Sequence, residues 1–245
     1  DTYRYQNFAV DNVVAEISLC PNPCWRYVLG AHYDSLIGTV GADDNASAVA
    51  VQLETARHLI ELKDSEELDI AVKLVSFALE EPPLFATRYM GSHVYASRAR
   101  EERHQIDGMI CLEMVGYCCH EPGSQKYPFP LMFFGYPCEG NFIGIVGDFN
   151  SRGLTNALYT AFRKNPHLPV EKLIVPFRGI LVPSVRLSDH ASFWDYGFKA
   201  VMVTDTSFYR NPHYHLASDT MDTLDYRFMA ELVRSLVIFF TSHHP

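Results

Sequence analysis

Residues 71–83 have the sequence Ala-Val-Lys-Leu-Val-Ser-Phe-Ala-Leu-Glu-Glu-Pro-Pro, an apolar run followed by two acids and two prolines. The apolar part is typical of a buried strand, and the prolines then direct the backbone out of the sheet. Glu80 and Glu81 are therefore expected at the carboxyl end of this strand, where two adjacent carboxylates repel each other and resist loss of water. A metal ion would offset that repulsion. Taken alone, the pair is better explained as a solvated loop.

The rest of the chain alternates between strand-like and helix-like patterns. Apolar, β-branched runs predict strands at 12–19, 26–32, 69–79, 106–115, 142–146, 172–176 and 200–204. Helical patterns cover 45–62, 91–104, 151–164 and 224–240. Asp44 and Asn45 are the predicted N-cap of the first helix, and Asp222 or Thr223 that of the last.

This alternation predicts an α/β fold with three α/β/α layers and a mostly parallel, mixed central sheet. The first two strands are separated by a short turn, so we expect an antiparallel hairpin at one edge. The length of 245 residues suits a single domain over 1–245. The segment 117–141, rich in Gly, Pro and aromatic residues, is expected to border a site.

Composition excludes several classes of partner. The net charge is −9, which disfavours nucleic acid and anionic lipid. No apolar run reaches the ~20 residues of a membrane span. Six cysteines permit disulfides without the dense framework of small secreted domains, so their redox state stays open.

Other strand ends also carry polar groups. His32-Tyr33-Asp34 closes the strand that contains Tyr27, and alternation puts His32 and Asp34 on one face. A His that binds a metal, with a carboxylate that orients its ring, is a common pairing. The alternative is a core histidine whose ring nitrogens form hydrogen bonds within the protein. Because ligands of such sheets bind beyond the carboxyl ends of the strands, these residues, Glu80–Glu81 and Glu113 should converge.

Five motifs in order resemble the zinc-dependent aminopeptidase family of bacterial leucyl aminopeptidases, with glutamate carboxypeptidase and glutaminyl cyclase as more distant relatives. The resemblance extends from about Asn12 to the final helix. The motifs are Ala-His-Tyr-Asp-Ser from Ala31, Gly-Ala-Asp-Asp-Asn-Ala-Ser from Gly41, Glu-Glu-Pro from Glu80, Leu-Glu-Met-Val-Gly from Leu112 and Tyr-His-x3-Asp-Thr from Tyr214. The resemblance implies a zinc-exopeptidase-like fold and a site with two Zn²⁺ ions, although Mn²⁺ or Co²⁺ would also suit the ligands.

Residue by residue, the resemblance implies that His32 and Glu113 hold one metal and that Glu81 and His215 hold the other. Asp44 would bridge both, since the family uses the second Asp of its Gly-Ala-Asp-Asp motif. The Asp44–Asn45 peptide resembles one that is cis in relatives. The family most often has Asp where this chain has Glu113, and the extra methylene changes the reach of that carboxylate.

The chemistry implied is peptide hydrolysis by a water that the two metals share and activate. Glu80, beside a ligand without being one, is placed as the general base. Tyr214 is a further donor to the oxyanion, and Asp34 would orient His32.

Five more residues are candidates for the substrate pocket. Asp189 and His190 belong to Ser-Asp-His-Ala-Ser-Phe, which matches another family segment and is expected to form a pocket wall. Met114, Phe208 and Tyr209 could line an apolar pocket for the substrate side chain, and ordinary core or loop packing is an equal alternative for them.

The resulting hypothesis is a dinuclear aminopeptidase that acts on peptides with a free N-terminus. A single-zinc glutaminyl cyclase is one alternative. It would need only Asp44, Glu81 and His215 as ligands, and the cyclases resemble one another in having Trp where this chain has Tyr214. A non-catalytic binding domain of the same fold is another. No leader is visible at Asp1, yet relatives are often exported, so we expect an exported protein. The preferred N-terminal residue and the oligomeric state are left open.

Overall fold

The computed structural model of the chain describes residues 1–63 and 68–242. Its strands are β1 Thr2–Tyr5, β2 Phe8–Asp11, β3 Val13–Ser18, β4 Trp25–His32, β5 Ile70–Phe77, β6 Gly108–Glu113, β7 Ile143–Asp148, β8 Val170–Val175 and β9 Ala200–Thr204. Its helices are α1 Ala48–Leu62, α2 Gly91–Glu101, α3 Arg152–Phe162, α4 His190–Asp195 and α5 Tyr226–Thr241.

Seven strands form one mixed sheet in the order β3-β5-β4-β6-β9-β7-β8. The four central strands, β5, β4, β6 and β9, are parallel to one another. β3 is antiparallel to β5, and β7 is antiparallel to β9. The central strands are buried on both faces and read as almost continuous apolar runs, as parallel strands under two helical layers do.

The predicted hairpin of the first two sheet strands is wrong. β5 lies between β3 and β4, and it pairs with β3 in antiparallel and with β4 in parallel orientation. Residues 1–11, for which no strand was predicted, form a separate two-stranded hairpin of β1 and β2. Most of its side chains are exposed, so the apolar periodicity that identifies a strand is weak there.

Helices cover both faces of the sheet, which confirms the three-layer α/β/α architecture. On one face α1 and α3 pack against α5, over a core that includes Leu29, Ile110 and Phe239. On the other face α2 packs against α4, around Phe77, Phe193 and Trp194. No helix of the described residues has the length and apolar character needed to cross a membrane.

The two predicted helix caps are wrong. The first helix begins after Ser47, and neither Asp44 nor Asn45 caps it. The N-cap of α5 is Asp225, whose Oδ1 accepts the amide hydrogens of Arg227 and Phe228 at 3.0 Å each. The carboxylate of Asp44 instead faces the side chains of His32 and His215.

Candidate metal centre

Three neighbouring strands of the sheet deliver polar side chains to one edge. β4 ends at His32, β6 ends at Glu113, and Glu80 and Glu81 follow β5 three residues after its end. The three strands are parallel and adjacent, so their carboxyl ends meet. All four side chains are buried. The convergence expected from the sequence is therefore present.

Two further residues come from loops. Asp44 lies in the turn before α1, and His215 lies in the loop between β9 and α5. Gly41 opens the first turn with φ of 67°, and a Cβ there would lie 2.7 Å from the carbonyl oxygen of Asp44. Glycine is thus required for this close approach. The Asp44–Asn45 peptide is cis, as the resemblance implied.

The side chains form two clusters that share Asp44. His32, Asp44 and Glu113 make one, Asp44, Glu81 and His215 make the other, and within each the possible ligand atoms lie within 4.8 Å of one another. Oδ1 of Asp44 is 3.3 Å from Nε2 of His32, whereas Oδ2 is 3.1 Å from Nε2 of His215. Asp44 therefore spans both clusters with one oxygen on each side.

His32 presents a nitrogen to this cluster that the protein leaves unsatisfied. Its Nδ1 lies 3.0 Å from the backbone oxygen of Asp34, which can only accept a hydrogen bond. Its buried Nε2 has no hydrogen-bond partner among the described residues, although Oε2 of Glu113 is 3.5 Å away. The ring is oriented as that of a metal-binding histidine is.

The charges of the cluster call for a cation. Burial lowers the pKa of His32, but the carboxylates of Glu80 and Glu113 outweigh it, and the net pKa is well above the ordinary value. Burial and the neighbouring Asp44 raise the pKa of Glu81 to about 7. Burial also raises the pKa of Glu80 strongly. The site needs positive charge, supplied by protons or by a metal.

The donor set fits divalent metal of the zinc type. It consists of two imidazoles and three carboxylates, and buried Oε1 of Glu81 also lacks a hydrogen-bond partner among the described residues. Such nitrogen and oxygen donors suit a catalytic zinc site. All five residues implied as ligands thus meet at one place, and their binding of metal stays a prediction.

Asp34 contacts His32 through two groups. Its backbone oxygen lies 3.0 Å from Nδ1 of the ring and its carboxylate 3.6 Å from the same nitrogen, and its role in orienting His32 stays a prediction. That carboxylate accepts the backbone amide hydrogens of Glu80 and Glu81, each at 3.1 Å. Asp34 therefore fixes the position of the two acids beyond β5.

A cavity of about 250 Å³ opens beside the clusters. Asp44, Glu80, Glu81 and His215 lie at its polar end. The remaining wall is largely apolar and includes Phe85, Met132, Phe142, Val146, Leu173, Met202, Phe208 and Tyr209. Tyr214 also lines the cavity, and its ring stacks on that of His215 with centroids 3.8 Å apart. Phe208 and Tyr209 therefore lie where the sequence predicted.

The other three pocket predictions are not matched by the structure. Met114 is fully buried, its sulfur accepts a hydrogen bond from the hydroxyl of Ser207 at 2.9 Å, and it is not among the residues that line the cavity. His190 packs against Trp194 and donates from Nε2 to the backbone oxygen of Val185, and burial lowers its pKa to about 4. The carboxylate oxygens of buried Asp189 have no hydrogen-bond partner among the described residues, and burial raises the pKa of this group to about 7.

Two supporting residues were missed. Asp219 accepts the backbone amide hydrogens of Asp43 and Asp44, at 2.9 and 3.1 Å, and so holds the loop that carries Asp44. It is the Asp of the Tyr-His-x3-Asp-Thr motif, which was a usable signal. Ser188 donates to Oε2 of Glu113 at 2.6 Å. It lies beside Asp189 in sequence, but nothing local identifies its partner.

The sequence of the chain matches a known protein family. Residues 12–238 match the family model described as "Peptidase family M28". The uncharacterized protein YfbL of Escherichia coli (strain K12) is 39% identical over 234 residues, which cover 92% of this chain and 69% of that protein. A probable leucine aminopeptidase of Arthroderma otae is 25% identical over 248 residues, 97% of this chain and 57% of the relative.

Solved structures share the fold. LapB from Legionella pneumophila superposes with a TM-score of 0.69 at 24% identity, covering 93% of this chain and 54% of LapB. The glutaminyl cyclase of Porphyromonas gingivalis gives a TM-score of 0.64 at 17% identity, covering 93% of this chain and 76% of the cyclase. The chain thus spans little more than half the length of the fungal relative and of LapB.

Proposed function

The chain belongs to peptidase family M28, and from this premise we propose that it is a dinuclear metal-dependent aminopeptidase. Its substrates would be peptides with a free N-terminus and an apolar first residue. Similarity to a probable leucine aminopeptidase supports the reaction class. The bound metal, the mechanism and the substrate are inferred from the residues of the site.

One observation carries the proposal: Asp44 directs its two carboxylate oxygens to two different histidines. A site for a single ion would not need this carboxylate between two separate groups of donors. His32, Asp44 and Glu113 would hold one zinc ion, and Asp44, Glu81 and His215 a second. When bound, such a pair lowers the pKa of a water molecule and polarises a carbonyl oxygen.

Glu80 is the proposed proton carrier. Its carboxylate lies 3.8 Å from Nε2 of His32, lines the cavity and belongs to neither cluster. The raised pKa that burial gives this group is what a general base near neutral pH requires. Glu80 would take a proton from the attacking water and give it to the amine that leaves when the peptide C–N bond breaks.

The remaining residues would bind and orient the peptide. Tyr214 is held by stacking on His215 at the edge of the cavity, where its hydroxyl can donate to the carbonyl oxygen of the scissile bond. The acidic end of the cavity would attract the α-ammonium group. The apolar wall would take the first side chain, since burial of a residue of the size of Leu or Phe stabilises binding by about 1.5–3 kcal/mol.

The test is an assay on a panel of aminoacyl-nitroanilides beside N-terminal glutaminyl peptides, with metal content measured on the same samples. We expect at least two metal ions per chain and fastest release from Leu, Met or Phe derivatives. Glu80→Gln should keep both metals and lose about 10²- to 10⁴-fold in kcat. The neighbouring variant Glu81→Gln is the matched control, because it should lose metal as well.

Other outcomes would assign a different function. Cyclisation of the glutaminyl peptides with one metal per chain would identify a glutaminyl cyclase, whose fold is shared. Metal binding without either reaction would point to a binding domain. Normal hydrolysis by Glu80→Gln would refute the assignment of the base.

A further inference from the structure

A second group of potential ligands lies outside the candidate metal centre. Cys118 and His120 follow β6, and Asp225 precedes α5; the possible ligand atoms of the three lie within 4.8 Å of one another. Sγ of Cys118 is 3.6 Å from Nε2 of His120. None of the three lines the substrate cavity. The family resemblance gives this group no role.

The group is held in place from several sides. Nδ1 of His120 lies 3.3 Å from Nδ2 of Asn141, which also donates to Oε2 of Glu139 at 3.1 Å. The backbone amide of Asp225 donates to the oxygen of Gly116 at 2.8 Å. Oδ1 of Asp225 caps α5, which leaves the second carboxylate oxygen unused by the cap. Asn141 thus contacts the ring of His120 at Nδ1, and Nε2 is the nitrogen that lies near Cys118.

The thiol of Cys118 is half-buried beside the carboxylate of Asp225. A divalent ion between the two groups would stabilise both the thiolate and the carboxylate.

We propose that Cys118, His120 and Asp225 form a zinc site separate from the candidate metal centre. One thiolate, one imidazole and one carboxylate are three of the four ligands of a tetrahedral zinc, with a water as the fourth. On binding, the thiol loses its proton to solvent, so each zinc bound at neutral pH releases one proton from Cys118.

The site joins two parts of the chain that matter for the cavity. Cys118 begins the segment that continues to Tyr136 and supplies Gln125, Tyr127 and Met132 to the cavity wall. Asp225 begins α5, which packs against α1 and α3. A bound zinc would therefore fasten the cavity segment to the helical layer.

Cobalt provides the test, because thiolate-bound Co²⁺ gives a charge-transfer band in the near ultraviolet that nitrogen and oxygen ligands do not. Metal-free full-length protein is titrated with Co²⁺ alone. We expect the band in the wild type, and its loss in Cys118→Ser and in His120→Ala. Since Cys118 packs against the core and His120 is exposed, the second variant guards against a folding defect in the first.

Cys119→Ser is the matched control and should keep the band. Asn141→Ala should also keep it, because the variant removes a contact of the His120 ring but no ligand. Glu81→Gln should also keep it, so failure of the proposed function and failure of this site are distinguishable. A wild type without the band, or a Cys118→Ser variant with it, overturns the proposal.

Discussion

Asp43 and Asp44 are adjacent in sequence and both buried, yet their carboxylates have opposite kinds of partner. Asp43 accepts from the backbone amide of Gly116 at 2.8 Å, the hydroxyl of Ser47 at 3.1 Å and the amide of Asn211 at 2.6 Å. Asp44 instead faces two histidine nitrogens, and although burial raises its pKa, those histidines lower it to about 2.

The same division runs through the other acids near the site. Asp34 and Asp219 each accept two backbone amide hydrogens and so hold loops in place. Among the described residues, one oxygen of Glu81 has no hydrogen-bond partner and Glu113 accepts a hydrogen bond from Ser188. Acids that receive amide hydrogens stabilise the fold. Acids that face one another need a cation, which makes them candidates for chemistry.

The largest expected effect tests an acid of the second kind. Asp44→Asn should lose metal from both clusters, because one oxygen of the shared carboxylate becomes an NH₂ group that cannot bind an ion. Loss of several kcal/mol of metal assistance corresponds to a fall of roughly 10³-fold or more in kcat/KM. Metal analysis and steady-state kinetics measure this. Full metal content in the variant would contradict the assignment of Asp44 to the acids that need a cation.

Asp34→Asn tests an acid of the first kind close to the base. An Asn side chain has one acceptor oxygen, so it can satisfy only one of the two amides of Glu80 and Glu81. The bond from His32 to the backbone oxygen of Asp34 is unaffected. We expect kcat to fall about 10- to 100-fold with a smaller change in KM. An unchanged kcat would show that the positions of the two glutamates do not depend on Asp34.

Glu113 faces other acids and also accepts a hydrogen bond from Ser188. This donor can be removed by substitution. Ser188→Ala deletes the 2.6 Å hydrogen bond to Oε2 and leaves Glu113 otherwise intact. Metal affinity should fall about 10-fold, the lower end of the effect of an orienting partner. Calorimetric titration of metal-free protein measures it. Ser192→Ala, a buried serine that contacts Ser92 instead, is the control.

The smallest effect on catalysis is expected for Asp43→Asn. The variant should keep its metals and stay within about 3-fold of normal turnover, since the Asp43 carboxylate bonds to Gly116, Ser47 and Asn211 and not to the residues of the two clusters. It should lose about 1–3 kcal/mol of unfolding free energy, because buried donors are left poorly paired. Denaturant unfolding of the metal-free protein gives this value. A loss of metal as large as in Asp44→Asn would remove the distinction between the two acids.

Much of this arrangement follows from local sequence. The seven sheet strands and four of the five helices lie at predicted positions, because periods of 2 and 3.6 are properties of a short window. The residues at strand ends converge for the same reason, since parallel strands end at one edge. The family motifs identified which Asp of the pair faces the histidines.

The contacts that were not predicted join groups that are distant in the chain. Met114 and His190 are apolar or neutral side chains next to site residues, and only packing decides whether such neighbours face the cavity or the core. The carboxylate of Asp34 binds amides 46 and 47 residues away, so no short window contains both partners. Ser188 was missed for the same reason, with its acceptor 75 residues away.

The sequence by itself determined the fold class, the family and the set of donors at the sheet edge, because these depend on residue types in short segments. Only the tertiary structure decided that β5 lies between β3 and β4, that the loop before α4 lines the cavity, and that Cys118 meets Asp225. Strand order and contacts between loops depend on hydrogen bonds and packing between residues far apart in the chain, which leave no periodic signal in the sequence.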